Sequence, residues 1–235
     1  MTRENIMAPR ACPVSATGLR LFLDTADRDA WSRWLPTGLF HGVTTNPTIL
    51  ARSGLSCTIE TLTPLLRRCL DYPVAEIQAQ CWGTETDALI ETGLALAAID
   101  PRMVVKVPIT ENGIRAVARL HAHGVRTTLT AVYAVHQAVT AAAAGSDYVA
   151  PYFGRIGDSG RDAFATIDAM RAVLRHAGDR TRLLVASLRQ ADDLAALCAA
   201  GCDTFTFSPA VAEQLFADPQ TVEAAATFER MAAGL

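Results

Sequence analysis

Short apolar or β-branched runs recur along the whole chain, separated by longer Ala-, Leu- and Arg-rich stretches whose apolar positions repeat at helical spacing. Eight runs read as strands: residues 19–25, 42–46, 74–79, 103–108, 126–132, 148–152, 182–187 and 204–208. Between them, residues 87–99, 113–123, 135–144 and 192–200 carry the 3.6-residue pattern of amphipathic helices. Gly124, Gly145 and Gly201 stand where a helix ends and the next strand begins, the place for a left-handed cap. Strict alternation of strand and helix predicts parallel βα units, and eight such units close into a (β/α)8 TIM barrel. No glycine-rich G-x-G-x-x-G or Walker sequence is present to mark an open nucleotide-binding sheet. Residues 1–18 precede the first strand and read as a flexible N-terminal extension; residues 19–235 read as one catalytic barrel domain.

Composition agrees with helices packed on a buried sheet: 235 residues, half of them hydrophobic, only 6% aromatic. A net charge of −3 and scattered arginines leave no basic field for nucleic acid. No apolar run is long enough for a signal-peptide core or a membrane span, so a cytoplasmic location is expected, with no membrane partner. The six cysteines contain no C-x-x-C pair and read as reduced thiols; Cys198 and Cys202 read as small buried side chains. The histidines at 41, 121, 123, 136 and 176 are dispersed, so neither a metal nor another cofactor is expected.

The chemistry is sought at the C-terminal ends of the strands, where barrels build their active sites. Asp24 ends the first run; Thr44, Thr45 and Asn46 the second; Gln78 and Gln80 the third. Lys106 lies in the fourth, Thr130 in the fifth, and Tyr152, Ser187 and Ser208 finish the sixth, seventh and eighth. Lys106 stands out because the chain holds 21 lysines and arginines together and only this one is lysine, set in the apolar run Met-Val-Val-Lys-Val-Pro. A lysine there is costly unless it is paired, Asp24 being a candidate partner, or works. Unlike arginine, lysine can shed its proton and attack a carbonyl to form an imine. A tyrosine at 152 can move protons beside such an imine, and Gln80 and Thr130 can position a water. Arg155, Ser187 and Arg189 follow the sixth and seventh strands, where barrels often bind phosphate, and their donors suit a dianion.

These residues occur in an order that resembles the small transaldolase and fructose-6-phosphate aldolase family over roughly residues 19–230. The resemblance is carried by Leu-Phe-Leu-Asp-Thr-Ala at 21–26, Gly-Val-Thr-Thr-Asn-Pro-Thr-Ile at 42–49, Val-Val-Lys-Val-Pro-Ile-Thr at 104–110, Tyr-Val-Ala-Pro-Tyr-Phe-Gly-Arg-Ile at 148–156 and Val-Ala-Ser-Leu-Arg at 185–189. It implies a Schiff base on Lys106, a catalytic water held by Gln80, Thr130 and Tyr152, substrate hydroxyls bound at Asp24, Thr44 and Asn46, and a sugar phosphate at Arg155, Ser187 and Arg189. Family transaldolases resemble one another in having Glu at the position of Gln80 and Phe at that of Tyr152, whereas the fructose-6-phosphate aldolases look like this chain at both. The resemblance therefore implies cleavage of fructose 6-phosphate to dihydroxyacetone and glyceraldehyde 3-phosphate, with transfer of the dihydroxyacetone unit to erythrose 4-phosphate as the alternative. A noncatalytic sugar-phosphate-binding barrel is the reading from another class. The chain departs from the family at Phe153-Gly154, at Gly157 and in a short tail after Phe228. Relatives resemble decamers of two pentameric rings, so a homo-oligomer, pentamer or decamer, is expected.

Overall fold

A computed structural model describes residues 18–234. The expected N-terminal extension, apart from Gly18, and Cys12 therefore lie outside the described residues. The strands are β1 Arg20–Asp24, β2 Gly42–Thr44, β3 Glu76–Gln80, β4 Met103–Pro108, β5 Thr127–Val132, β6 Tyr148–Pro151, β7 Arg182–Leu183, β8 Val185–Leu188 and β9 Thr204–Phe207. All pair in parallel, in the order β7-β6-β5-β4-β3-β2-β1-β9-β8. The two ends of that order, β7 and β8, are consecutive segments flanking Leu184, so the sheet closes on itself as a barrel of eight staves.

The run at 182–187, read as one strand, is thus divided. Its first half ladders onto β6, through Leu184 N–H to Val149 O at 2.9 Å, while its second half ladders onto β9. A register shift between Val185 and Leu188 and a left-handed Ser187 (φ 62°) account for the break. The other runs hold their place within one or two residues at each end. Gly124, Gly145 and Gly201 all have positive φ, as helix-terminating glycines should.

Eleven α-helices are described, of which four position the site or the surface: α2 Pro47–Arg52, α7 Phe153–Asp158, α10 Pro209–Gln214 and α11 Pro219–Ala232. Residues facing out of the barrel, such as Ile77, Ala79, Met103, Val105 and Val107, join the large core beneath the helices. The apolar part of the barrel interior is much smaller: Phe22, Val104, Tyr148, Ala150 and Leu184. The rest of the interior is polar yet almost fully covered, including Thr44, Gln78, Lys106, Thr128, Thr130 and Thr206. Buried polar groups are costly without partners, so this layer has to be read contact by contact.

The N-terminal end of the barrel is closed by an ionic cluster on Glu76. Its carboxylate accepts from Arg126 Nη2 at 2.7 Å and from the Tyr148 hydroxyl at 2.8 Å, with Arg20 Nη1 at 3.4 Å and His41 Nε2 at 3.6 Å. Burial by itself would raise the Glu76 carboxyl, but the nearby His41 ring, the hydrogen bond and charge of Arg126, and the Tyr148 hydroxyl together hold it at about 2. Burial first, then the Glu76 charge, pushes the Tyr148 phenol up to about 12. Gly42 makes room for this cluster, since a Cβ there would lie 2.0 Å from Glu76 O and 2.9 Å from the Phe22 ring.

Of the cysteines, Cys57, Cys69, Cys81, Cys198 and Cys202 are free thiols. Cys202 is buried as expected, but Cys198 is exposed, because it falls on the solvent side of the helix Ala191–Ala199. No helix among the described residues is long and apolar enough to cross a membrane.

Candidate active site

A cavity of about 350 Å³ opens at the C-terminal end of the barrel. Lys106 reaches it from β4, where its Cα pairs with Gln80 on β3 and Thr128 on β5. The residue is only 4% exposed, yet no carboxylate among the described residues pairs with it. Asp24, the partner considered from the sequence, is engaged by Thr44 instead, whose Oγ1 donates to Asp24 Oδ1 at 2.5 Å and also meets Thr206 Oγ1 at 2.5 Å. The barrel therefore holds one buried amine in a polar cavity without an opposing charge in contact.

Eight of the ten residues given a role in the sequence analysis line this cavity. Asp24 and Asn46 form one side, Gln80 and Lys106 the back, and Tyr152, Arg155, Ser187 and Arg189 the other side. Thr44 and Thr130 stand behind the wall and hold residues that form it, Thr44 gripping Asp24 and Thr130 Oγ1 lying 2.9 Å from the Tyr152 hydroxyl. Asn46 caps α2: its Oδ1 accepts from Ile49 N–H at 3.0 Å, which leaves its amide NH2 as the group available to a ligand. Ser208 also lines the cavity, whereas Thr45 is buried outside it and Gln78 lies deeper in the barrel.

β5 reaches the cavity through an irregularity. Ala131 is left-handed (φ 61°), and the register to β6 shifts between Leu129 and Val132. Such a bulge re-aims the side chains beside it, here Thr130 toward Tyr152. The Tyr152 ring is fixed further by an edge contact with Tyr133, centroids 5.5 Å apart, and by the Arg155 guanidinium 5.0 Å from its centroid.

The three residues read as a phosphate clamp do not present equivalent groups. Arg155 donates to the Tyr133 hydroxyl at 3.4 Å and has no carboxylate partner among the described residues, and that hydroxyl raises its affinity for the proton. Arg189 forks onto Asp158, one arm at 2.7 Å and the other shorter, so its charge is already matched at the surface. The same ion pair holds the Asp158 carboxyl below its usual range. Ser187 owes its position to its own left-handed backbone, which falls where the register of β8 with β9 shifts between Val185 and Leu188.

The departure at Gly154 has a structural cause: a Cβ there would lie 2.5 Å from Ser187 O and 3.0 Å from Arg189 Nε, so α7 approaches β8 only through glycine. Nothing in the structure explains Gly157, which has open space around it. Tyr133 and Arg52 line the cavity and were not singled out from the sequence. Tyr133 follows β5 by one residue and could have been found by extending the strand-end search; Arg52 sits at the end of α2 among many arginines and carries no local signal.

Comparison with known proteins follows the same outline. Residues 21–234 match the family model described as transaldolase/fructose-6-phosphate aldolase. A probable transaldolase of Caulobacter sp. (strain K31) is 35% identical over 203 residues, covering 86% of this chain and 91% of the relative. Probable transaldolase 2 of Listeria monocytogenes serovar 1/2a is 35% identical with the same coverage. Among solved structures, a mandelate oxidase mutant bearing an FMN adduct shares the fold at 14% identity, with a TM-score of 0.54 over 77% of this chain and 59% of that one.

Proposed function

The chain belongs to the transaldolase/fructose-6-phosphate aldolase family and is an enzyme of that type; within it, we propose that this protein is a class I aldolase that cleaves fructose 6-phosphate through an imine on Lys106. The observation that carries the reading is the chain's single lysine, almost fully buried, opening into a polar cavity at the C-terminal end of β4 with no carboxylate among the described residues in contact. The amine adds to the C2 ketone and water leaves, giving the imine. A base takes the C4 hydroxyl proton, the C3–C4 bond breaks, and its electrons pass into the enamine. Glyceraldehyde 3-phosphate departs. Protonation at C3 and addition of water to the imine then release dihydroxyacetone and regenerate the amine. Tyr152, held by Thr130, is the proton carrier, and Gln80 beside Lys106 orients the water. Asp24, held in place by Thr44, and Asn46 serve the hydroxyls of the donor half, and Arg155 with Ser187 and Arg189 the phosphate.

The second reading is transfer of the dihydroxyacetone unit to erythrose 4-phosphate, and the names of the relatives favour it. Both readings share the imine. Borohydride added with dihydroxyacetone should leave a mass adduct on Lys106, and the Lys106→Met variant should neither trap nor turn over; retained activity in that variant would remove the imine mechanism. Free dihydroxyacetone formed without an acceptor aldehyde identifies the aldolase, while strict dependence on erythrose 4-phosphate identifies the transferase.

A further inference from the structure

Beneath Lys106 lies a buried amide that the reaction above does not use. Gln78 is 0% exposed, its Oε1 accepts from Thr128 Oγ1 at 2.7 Å, and its Nε2 is buried with no hydrogen-bond partner among the described residues. Gln78 faces into the barrel, because its strand neighbours Ile77 and Ala79 belong to the outer core. Thr128 belongs to β5 and Gln78 to β3, so their hydrogen bond crosses the inner face of β4. The register places that crossing beside Lys106, whose Cα pairs with Thr128, and beside Val104, whose Cα pairs with Gln78. The amide–threonine pair is thus the floor of the lysine site. The nearest hydroxyl on the other side, Thr44, is already engaged with Asp24 and Thr206.

Leaving a buried N–H donor unmatched is destabilising, a cost that an apolar side chain of the same length would avoid. Enclosed polar sites of this kind are satisfied by ordered water. We propose that Gln78 Nε2 holds a buried water under Lys106, and that Gln78 is a positioning residue for the amine. The water accepts one hydrogen bond from Gln78 Nε2 and one from a Lys106 N–H, and donates to Thr128 Oγ1. Held from below in this way, the amine turns its lone pair up toward the carbonyl in the cavity. The role for the amine rests on the imine reading of Lys106; the water site does not.

A crystal structure of the intact protein tests the water directly: density within hydrogen-bonding distance of Gln78 Nε2 is expected, and an Nε2 donating to a protein acceptor overturns the site. Kinetics test the positioning. With saturating dihydroxyacetone, Gln78→Met and Thr128→Val should each slow adduct formation by about tenfold; the melting temperature of Gln78→Met should equal or exceed that of the parent, while Thr128→Val, which orphans Gln78 Oε1, should melt lower and is assayed well below its midpoint. Thr128→Ser, which keeps the hydroxyl, should retain the parent rate. The pH profile of trapping should also move in Gln78→Met, although Asp24, Tyr133, Tyr152, Arg52, Arg155 and Arg189 still share the cavity. Parent-like trapping in both apolar variants, or a loss of rate that only follows a loss of stability, overturns the positioning role. If the parent itself forms no adduct, the imine reading fails, and the density alone decides the water site.

Discussion

At the residue scale, threonines hold the groups that face the cavity: Thr44 grips Asp24, Thr130 meets Tyr152, and Thr128 braces the floor through Gln78. A small β-branched hydroxyl suits this work, since its rotamer is restricted and it adds little volume inside a crowded barrel. If Tyr152 carries the proton, Tyr152→Phe should lower fructose 6-phosphate cleavage by about 100-fold or more while dihydroxyacetone still traps on Lys106. An unchanged cleavage rate would remove Tyr152 from the chemistry. The unequal arginines make a second expectation. Arg155 lacks a carboxylate partner among the described residues, whereas Arg189 is neutralised by Asp158. Arg155→Ala should therefore raise KM for phosphorylated substrates more than Arg189→Ala does, and neither should affect the unphosphorylated analogue; comparing the two KM ratios checks this.

At the scale of elements, the stretch from β6 through α7 to β8 is built around one close approach. Glycine at 154 lets the first turn of α7 sit against Ser187 O, while Ser187 itself adopts the left-handed region. Gly154→Ala should cost about 1–3 kcal/mol, read as a lower urea midpoint, and should disturb Arg155 one residue on. Gly157 occupies open space in the same helix, so Gly157→Ala should stabilise by up to about 1 kcal/mol through helix propensity alone. Equal effects at the two positions would contradict the packing argument. The last helix, α11, buries none of its residues and leaves Val222, Phe228 and Met231 exposed, so its contribution to the stability of the isolated chain is small.

For the whole molecule, the two ends of the barrel do different work: the C-terminal end holds the cavity and the N-terminal end holds the Glu76 cluster. That cluster makes stability depend on pH in a defined direction. Glu76 titrates at about 2 in the folded chain against 4.5 for its ordinary value, so its contribution is complete above about 4.5 and is lost as pH falls toward 2. Tyr148, raised to about 12 from 10, stays protonated in the folded chain while an unfolded phenol ionises, so stability also declines as pH rises from 10 to 12. Glu76→Gln should flatten the acid limb of a melting-temperature profile. It should cost about 1–3 kcal/mol near neutral pH, because Arg20 loses its carboxylate while Arg126 keeps only Asp147, at 3.4 Å. An acid limb identical to that of the parent would show that other carboxylates govern it.

The alternation of apolar runs and helical stretches determined by itself that the chain is an eight-unit barrel, since periods of 2 and 3.6 residues are local properties that need no distant partner. Strand-end position and the uniqueness of Lys106 likewise singled out most of the cavity's polar residues in advance. The pairings inside the barrel were decided by the tertiary structure: Glu76 with Tyr148, 72 residues apart, Gln78 with Thr128, 50 apart, and Arg189 with Asp158, 31 apart. Closure of the sheet brings such residues together, and no local pattern records which polar side chain will face which. For the same reason the sequence left His41 among dispersed histidines and Asp24 as one possible partner for Lys106, whereas closure sets His41 against Glu76 and gives Asp24 to Thr44. The candidate site could be read from the chain alone; which groups hold its side chains in place depends on strands meeting across the interior.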